Sequence, residues 1–339
     1  MDSFINISNY YIIMKDELDK IDKRILFELD KNARIPETSL AKIVNKSREA
    51  VRYRINNLEK KGIILGYSIF INVAKLGFQG YKVYLKLKGK PERKKEFFEH
   101  IRSRKDIFWL GIADGAWDVG LTFFAKSNEE FYNAKNQLFS EFKDLIVDKI
   151  TGSLVEPIIF GKKFLVENLD EKEISPKHMF GKVEQNELDG IDKKILGALL
   201  HNGRIRLVDL AIEVKSTVDI VRNRIKKLEE NGIILRYYAV IDHNKIGMEF
   251  YKSFLYFESL SQKDEKKLYE FCKLNPNVLY IVRQITPWDI ELELMVENSQ
   301  KYNQIINELK QLFSDNLRNV ESAIMSEDYV FPAKRNIFD

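Results

Sequence analysis

Arg48, Glu49, Arg52, Tyr53 and Asn56 fall on one side of a segment whose other side, Val51, Ile55 and Leu58, repeats at the i, i+4, i+7 spacing of a buried helical stripe. An arginine so placed pairs bidentately with a guanine edge or with a phosphate. Ser47 stands where a helix N-cap is needed and Lys46 precedes it, so this N-terminal turn would enter a major groove first. From Lys46 to Lys61 there are six positive residues against two negative ones, Glu49 and Glu59, a local charge of +4. The whole chain of 339 residues also carries only +4, so any affinity for a polyanion must be local. A solvated helix face would have the same composition; the neighbouring elements separate the two readings.

Those neighbours form a short, ordered set. Leu18, Ile21, Ile25, Leu26 and Leu29 have helical spacing, with Asp19 as N-cap. A break at residues 31–35 precedes Pro36, and Leu40-Ala41-Lys42-Ile43-Val44 reads as a second short helix. Asn45-Lys46 makes a tight turn, the third helix runs to about Lys61, and Gly62 stops it. Residues 63–71 then read as two short strands around a turn. Three short helices and a hairpin make a winged helix-turn-helix, which favours DNA over a plain solvent face.

The pattern occurs twice. Leu18-Asp19-Lys20-Ile21-Asp22 returns as Leu188-Asp189-Gly190-Ile191-Asp192, and the offset of 170 holds without a gap to Gly62-Ile63-Ile64-Leu65 against Gly232-Ile233-Ile234-Leu235. A period this long is a duplicated set of domains. The second reading helix would use Lys215, Thr217, Asp219, Arg222 and Asn223, but Val218 replaces Arg48 and Asn223 replaces Tyr53. Lys215 to Asn231 holds five positive and three negative residues, so the copy is less basic and an asymmetric target is expected.

After each winged helix the period changes. A strand (Tyr81–Leu87, with Lys82, Lys86 and Lys88 on one side), a helix, two strands joined by a loop ending in Trp117-Asp118, a second helix and a last strand give the order βαββαβ. This predicts a four-stranded antiparallel sheet with two helices on one face. Trp288-Asp289 matches Trp117-Asp118 at an offset of 171. The expected class is α+β, a tandem duplication of a winged helix-turn-helix followed by a ferredoxin-like sensor and dimerisation domain. The expected divisions are 1–17 (an arm, or a start placed too early, with Met14 the alternative), 18–72, 73–160, a polar linker 161–186, 187–242 and 243–332. A flexible linker of that length would span on the order of 28 Å.

An apolar fraction of 45% is enough for several small cores, and one cysteine, Cys272, excludes an internal disulfide framework. No stretch approaches the ~18 apolar residues of a membrane span, and the first residues make a poor signal peptide, so a cytoplasmic location is expected. No spacing suggests metal ligands, and no P-loop, nucleotide-binding glycine fingerprint or serine elbow is present.

The run Leu-Asp-x-Ile-Asp-x-x-Ile-Leu, Asn-x-Arg-Ile, Leu-Ala-x-x-Val and Val-Arg-x-Arg-Ile-x-x-Leu-Glu-x-x-Gly-Ile-Ile resembles the leucine-responsive regulatory protein/AsnC, or feast/famine, family, most of all its archaeal tandem forms. The resemblance covers nearly the whole chain twice. It implies a transcription regulator of double-stranded DNA that associates with itself through domains binding small effectors, usually amino acids, and needs no cofactor. It also implies an effector site around the loop between the second and third sensor strands: Gly111, Asp114, Gly115 and Asp118 in the first copy, and Thr286 and Asp289 in the second, whose loop lacks glycine. Trp117-Asp118 and Trp288-Asp289 can equally be core tryptophans beside turn aspartates. The turn glycine of the family is Asn45 here and Lys215 in the second copy, and lysine takes a left-handed conformation less readily.

Two other classes compete. An architectural chromatin protein would coat DNA without sequence choice, against which the weak net charge counts. Siroheme decarboxylases resemble the same architecture but need histidine and arginine around a tetrapyrrole pocket, and His100, His178, His201 and His243 are scattered along the chain.

Overall fold

Asp19 accepts from the backbone N–H groups of Ile21 and Asp22 and so opens α1 (Lys20–Lys31) of the first reader. The computed structural model describes residues 18–331 and residue 338; the 1–17 stretch, with Met14, lies outside the described residues. α2 (Glu37–Ile43) and α3 (Arg48–Lys60) follow, then β1 (Ile64–Ile71). The first sensor comprises β2 (Gln79–Leu87), α4 (Pro91–Ser103), β3 (Ile107–Gly115), β4 (Val119–Ala125), α5 (Asn128–Glu141) and β5 (Ile146–Ile159). After a two-residue strand, β6 (Lys177–His178), the second reader has α6 (Gly190–His201), α7 (Leu207–Glu213), α8 (Val218–Glu230) and β7 (Ile234–Ile241). The second sensor has β8 (Glu249–Phe257), α9 (Gln262–Leu274), β9 (Val278–Ile285), β10 (Ile290–Val296), α10 (Ser299–Leu312) and β11 (Leu317–Val330). The turns before α3 and α8 hold Asn45 at φ 50° and Lys215 at φ 55°, so the lysine takes the left-handed conformation as the asparagine does.

The wing departs from the expected hairpin. β1 is one strand, and its partner is β7 of the other reader, antiparallel, with Tyr67 opposite Ala239 and Ile69 opposite Tyr237. Within the 63–71 stretch there is no turn; Gly66, at φ 152°, sits at a register shift that marks a bulge. The two readers are therefore fastened to each other through their wings.

The sensors are joined as well. Their sheets have the orders β5-β2-β4-β3 and β11-β8-β10-β9, and β3 pairs with β11 while β5 pairs with β9, closing an eight-stranded ring. β5 and β11 are long because their second halves, Ser153–Ile159 and Ala323–Val330, pair with the other sensor. Helices α4 and α5 cover the outside of one sheet, packing Phe97, Ile101, Leu138 and Phe142 on Val83, Leu110 and Leu121. α9 and α10 do the same for the other, burying Cys272, Leu268 and Leu309. The inner faces meet each other. Lys82, placed by the sequence on one side of the strand with Lys86 and Lys88, therefore points into a closed interior and is 4% exposed.

The stretch 161–186 is packed rather than a free tether. Lys163 is buried, and its ammonium donates to the carbonyls of Cys272 (2.6 Å) and Lys273 (2.9 Å) at the end of α9; burial pushes it down to about 7. Met179 and Phe180 are buried, and the backbone N–H groups of Glu184 and Asn186 donate to Ala74 and Lys75. Among the described residues no helix is long and apolar enough to cross a membrane.

Candidate nucleic-acid interface and sensor interior

Val51, Ile55 and Leu58 bury one side of α3 and leave Lys46, Ser47, Arg48, Glu49, Arg52, Tyr53 and Asn56 exposed beside it. In α8 the buried stripe is Val221, Ile225 and Leu228, and Lys215, Thr217, Asp219, Arg222 and Asn223 are exposed. The hydroxyls of Ser47 and Thr217 are engaged as caps, accepting from Ala50 (3.1 Å) and Ile220 (3.3 Å). Arg54 and Arg224 are not exposed readers. They bind Asp19 with Asp22 and Asp189 with Asp192, tying each third helix to its first.

The exposed arginines differ between the copies. Arg52 forks onto the Glu37 carboxylate at 2.8 Å and Arg48 joins it at 3.2 Å, and these bonds hold Glu37 below its ordinary range. Leu207 and Val218 replace Glu37 and Arg48 in the second reader, where among the described residues Arg222 pairs only with Asp219 on its own helix. Between the readers lies a cleft of about 470 Å³ lined by Arg34, Arg48, Arg52, Arg204, Arg206 and Glu37. Arg34 donates to Gly203 O (3.2 Å) and lies over the Tyr237 ring, while Arg204 donates to the Tyr67 hydroxyl (3.2 Å) and lies over that ring. Each thus reaches across to the other copy. The recurrence of Asn-x-Arg-Ile was the signal for Arg34 and Arg204; Glu37 and Arg206 had none, since both depart from the repeat.

The residues expected around an effector do not form one cluster. Gly111 lies inside the ring, where a Cβ would meet the Met325 and Trp109 side chains at 2.5 Å. Gly115, at φ 124°, abuts the Ser322 carbonyl at the β3–β11 seam, and Asp114 beside it is exposed. Asp118 accepts from the Leu87 N–H (2.7 Å) and pairs with Lys86 (3.0 Å); Asp289 accepts from the Phe257 N–H (2.7 Å). Thr286 donates to the Trp288 carbonyl. Trp117 and Trp288 are buried, their rings 6.3 Å apart, so the tryptophans are core and the aspartates fix the turns beside them.

A different set of polar groups meets inside the ring. Lys252 is buried between Glu291 (2.6 Å) and Glu293. The Tyr84 hydroxyl donates to Glu291, and Gln284 Nε2 joins it at 3.1 Å. Burial alone would raise Glu291, but the Lys252 and Lys82 charges outweigh it and hold that carboxylate ionised. Asp328 accepts from the Trp109 indole. Two cavities adjoin this cluster, one of about 60 Å³ beside Lys82 and Trp109, and one of about 350 Å³ reaching out past Arg236 and His243 to the wing strands. Sequence reasoning missed this interior because nothing local shows that a second sheet covers the Lys82 face.

Comparison with known proteins fits this geometry. The winged helix-turn-helix DNA-binding family matches residues 18–64, and the AsnC-type helix-turn-helix domain matches 188–229. The HTH-type transcriptional regulator LrpA of Pyrococcus abyssi is 38% identical over 117 residues, 34% of this chain and 80% of that protein. The chain belongs to the Lrp/AsnC family. It is a DNA-binding transcription regulator, built from two family units. LrpB of Bacillus subtilis, 30% identical, aligns over 36% of this chain and 81% of its own length. Over the whole molecule the fold is similar to the crystal structure of the siroheme decarboxylase NirDL, with a TM-score of 0.60 and 11% identity across 91% of this chain and 92% of that one. At that identity the likeness is one of fold.

Proposed function

We propose that this Lrp/AsnC regulator reads an asymmetric DNA site with both winged helices of one chain, and that its paired sensors respond to a small effector such as an amino acid. The observation that carries the first part is the cleft between the readers. Arg34, Arg48, Arg52, Arg204 and Arg206 form a cationic path from α3 toward the second reader, and the β1–β7 seam fixes the two on one body. Lys46, Ser47, Arg48, Glu49, Arg52, Tyr53 and Asn56 form the stronger reader; Lys215, Thr217, Asp219, Arg222 and Asn223 form the auxiliary one. Selection of bound duplexes from a random library at ~150 mM salt, where nonspecific phosphate binding fades, tests this. Enrichment of a motif with two unequal half-sites supports it. Binding without enrichment overturns it in favour of an architectural role.

The ring of strands also bears on assembly. The two sensor sheets pair with each other within one chain, so association between chains would use other surfaces. One observation favours an enzyme as the second reading: His243 and Arg236 share the 350 Å³ crevice in a fold similar to NirDL. A Soret band in the purified protein would support that reading.

A further inference from the structure

The duplication lets one half of the interior be compared with the other. Across β8–β10, Lys252 faces Glu293 and Phe254 faces Glu291. Across β2–β4, at the matching positions, Lys82 faces Thr122 and Tyr84 faces Gly120. Lys252 therefore has two carboxylates, and Lys82 has neither. The place above Gly120 is taken by the Trp109 ring, which a Cβ there would meet at 2.7 Å. The place above Thr122 opens on the cavity of about 60 Å³, room for several waters on a scale of about 10–15 Å³ each.

Lys82 sits beside that cavity as a buried cation. Its ammonium lies 4.4 Å from the Trp109 ring centre and 5.5 Å from that of Tyr84, and it has no hydrogen-bond or ion-pair partner among the described residues. A buried charge left this way is costly, and burial pushes Lys82 below the ordinary lysine range. The acids nearby are already engaged: Glu291 and Glu293 with Lys252, and Asp328 with the Trp109 indole.

We propose that the cavity beside Lys82 binds a small organic carboxylate, which takes the position of the glutamate that the first half lacks. The second half of the molecule supplies the precedent, since a carboxylate at the matching position is what neutralises Lys252. The proposal rests on the sensing role above and gives it a place and a ligand class. The body of the ligand has somewhere to go, because the 350 Å³ crevice shares Phe70, Tyr280, Asp328 and Val330 with the inner cavity. Phe70 belongs to β1, which follows the α3 reading helix after a three-residue turn, so an occupant would touch the seam that sets the readers.

Calorimetric titration of the full chain tests this with 4-methylpentanoate, leucine and 4-methyl-2-oxopentanoate, and with 4-methylpentanamide as the uncharged control. Saturable binding of at least one acid, absent for the amide, is expected. Lys82→Met should weaken it about tenfold or more, an energy of about 1.4 kcal/mol or greater. Thr122→Glu should supply the missing partner, raise the melting temperature and block the acid. Equal affinity in Lys82→Met, binding of the amide as tight as the acid, or no saturable response from any acid would overturn the proposal. Duplex selection with the unliganded protein is read separately, so failure here leaves the DNA-reading assignment standing.

Discussion

At the scale of single residues the two winged helices differ, and Glu37, which is Leu207 in the second copy, is one of the differences. Arg52→Ala should cost about 1–3 kcal/mol on a preferred duplex if the side chain reads a base, with preference relaxed at one position. A uniform loss over all duplexes would make it a phosphate contact. Arg222→Ala should cost less, because its reader lacks the Arg48 counterpart. Glu37→Gln removes the carboxylate that occupies Arg48 and Arg52. Both guanidiniums are then free for phosphate, so binding should tighten, discriminate less and fall more steeply with salt, by about one unit of log–log slope per added contact. A salt titration of both proteins on matched and random duplexes measures this; unchanged slopes would show that Glu37 does not restrain them.

At the scale of elements the fold depends on seams between the halves. Asp30 of α1 lies buried against Arg236 of β7 (3.1 Å) and Lys162 (2.8 Å). Burial alone would raise this carboxyl, but the Arg236 and Lys162 charges outweigh it and hold it below its ordinary value of 3.8. A depressed folded value stabilises the fold above 3.8, and that stability is lost as pH falls through the lower folded value. Asp30→Asn should therefore destabilise by about 3–5 kcal/mol, leaving Arg236 without its buried counter-ion, and should flatten the acid limb of a urea stability series. An unchanged acid limb would remove Asp30 from that role. Gly203 tests the wing seam: a Cβ there would stand 2.6 Å from the Ser68 carbonyl, so Gly203→Ala should lower the melting temperature. The caps, the helices and the βαββαβ order could be read locally, because periodicity and N-cap residues such as Asp19 and Ser47 are local signals. The pairing partner of β1 could not, since Gly66 offers the same local signal for a turn and for a bulge.

At the scale of the whole molecule, duplication has placed two like units in one chain, where the halves can diverge. Matching positions show where they have: Glu37 against Leu207, Asp30 against Leu200, Thr122 against Glu293. The repeat makes the tandem architecture and the two reading helices legible in the sequence alone. The interior polar cluster is not legible there, because Lys82 looks like a surface lysine until the second sheet is laid over it. Under the proposed function both readers of one chain engage one site, each with its own half. Its most direct test is a nucleotide-resolution footprint on the selected duplex, comparing the native protein with Arg52→Ala and Arg222→Ala. Protection over two unequal half-sites is expected, the stronger lost in Arg52→Ala and the weaker in Arg222→Ala. A palindromic footprint that Arg52→Ala erases entirely and Arg222→Ala leaves intact would contradict it, because the first readers of two chains would then be doing the work assigned to one.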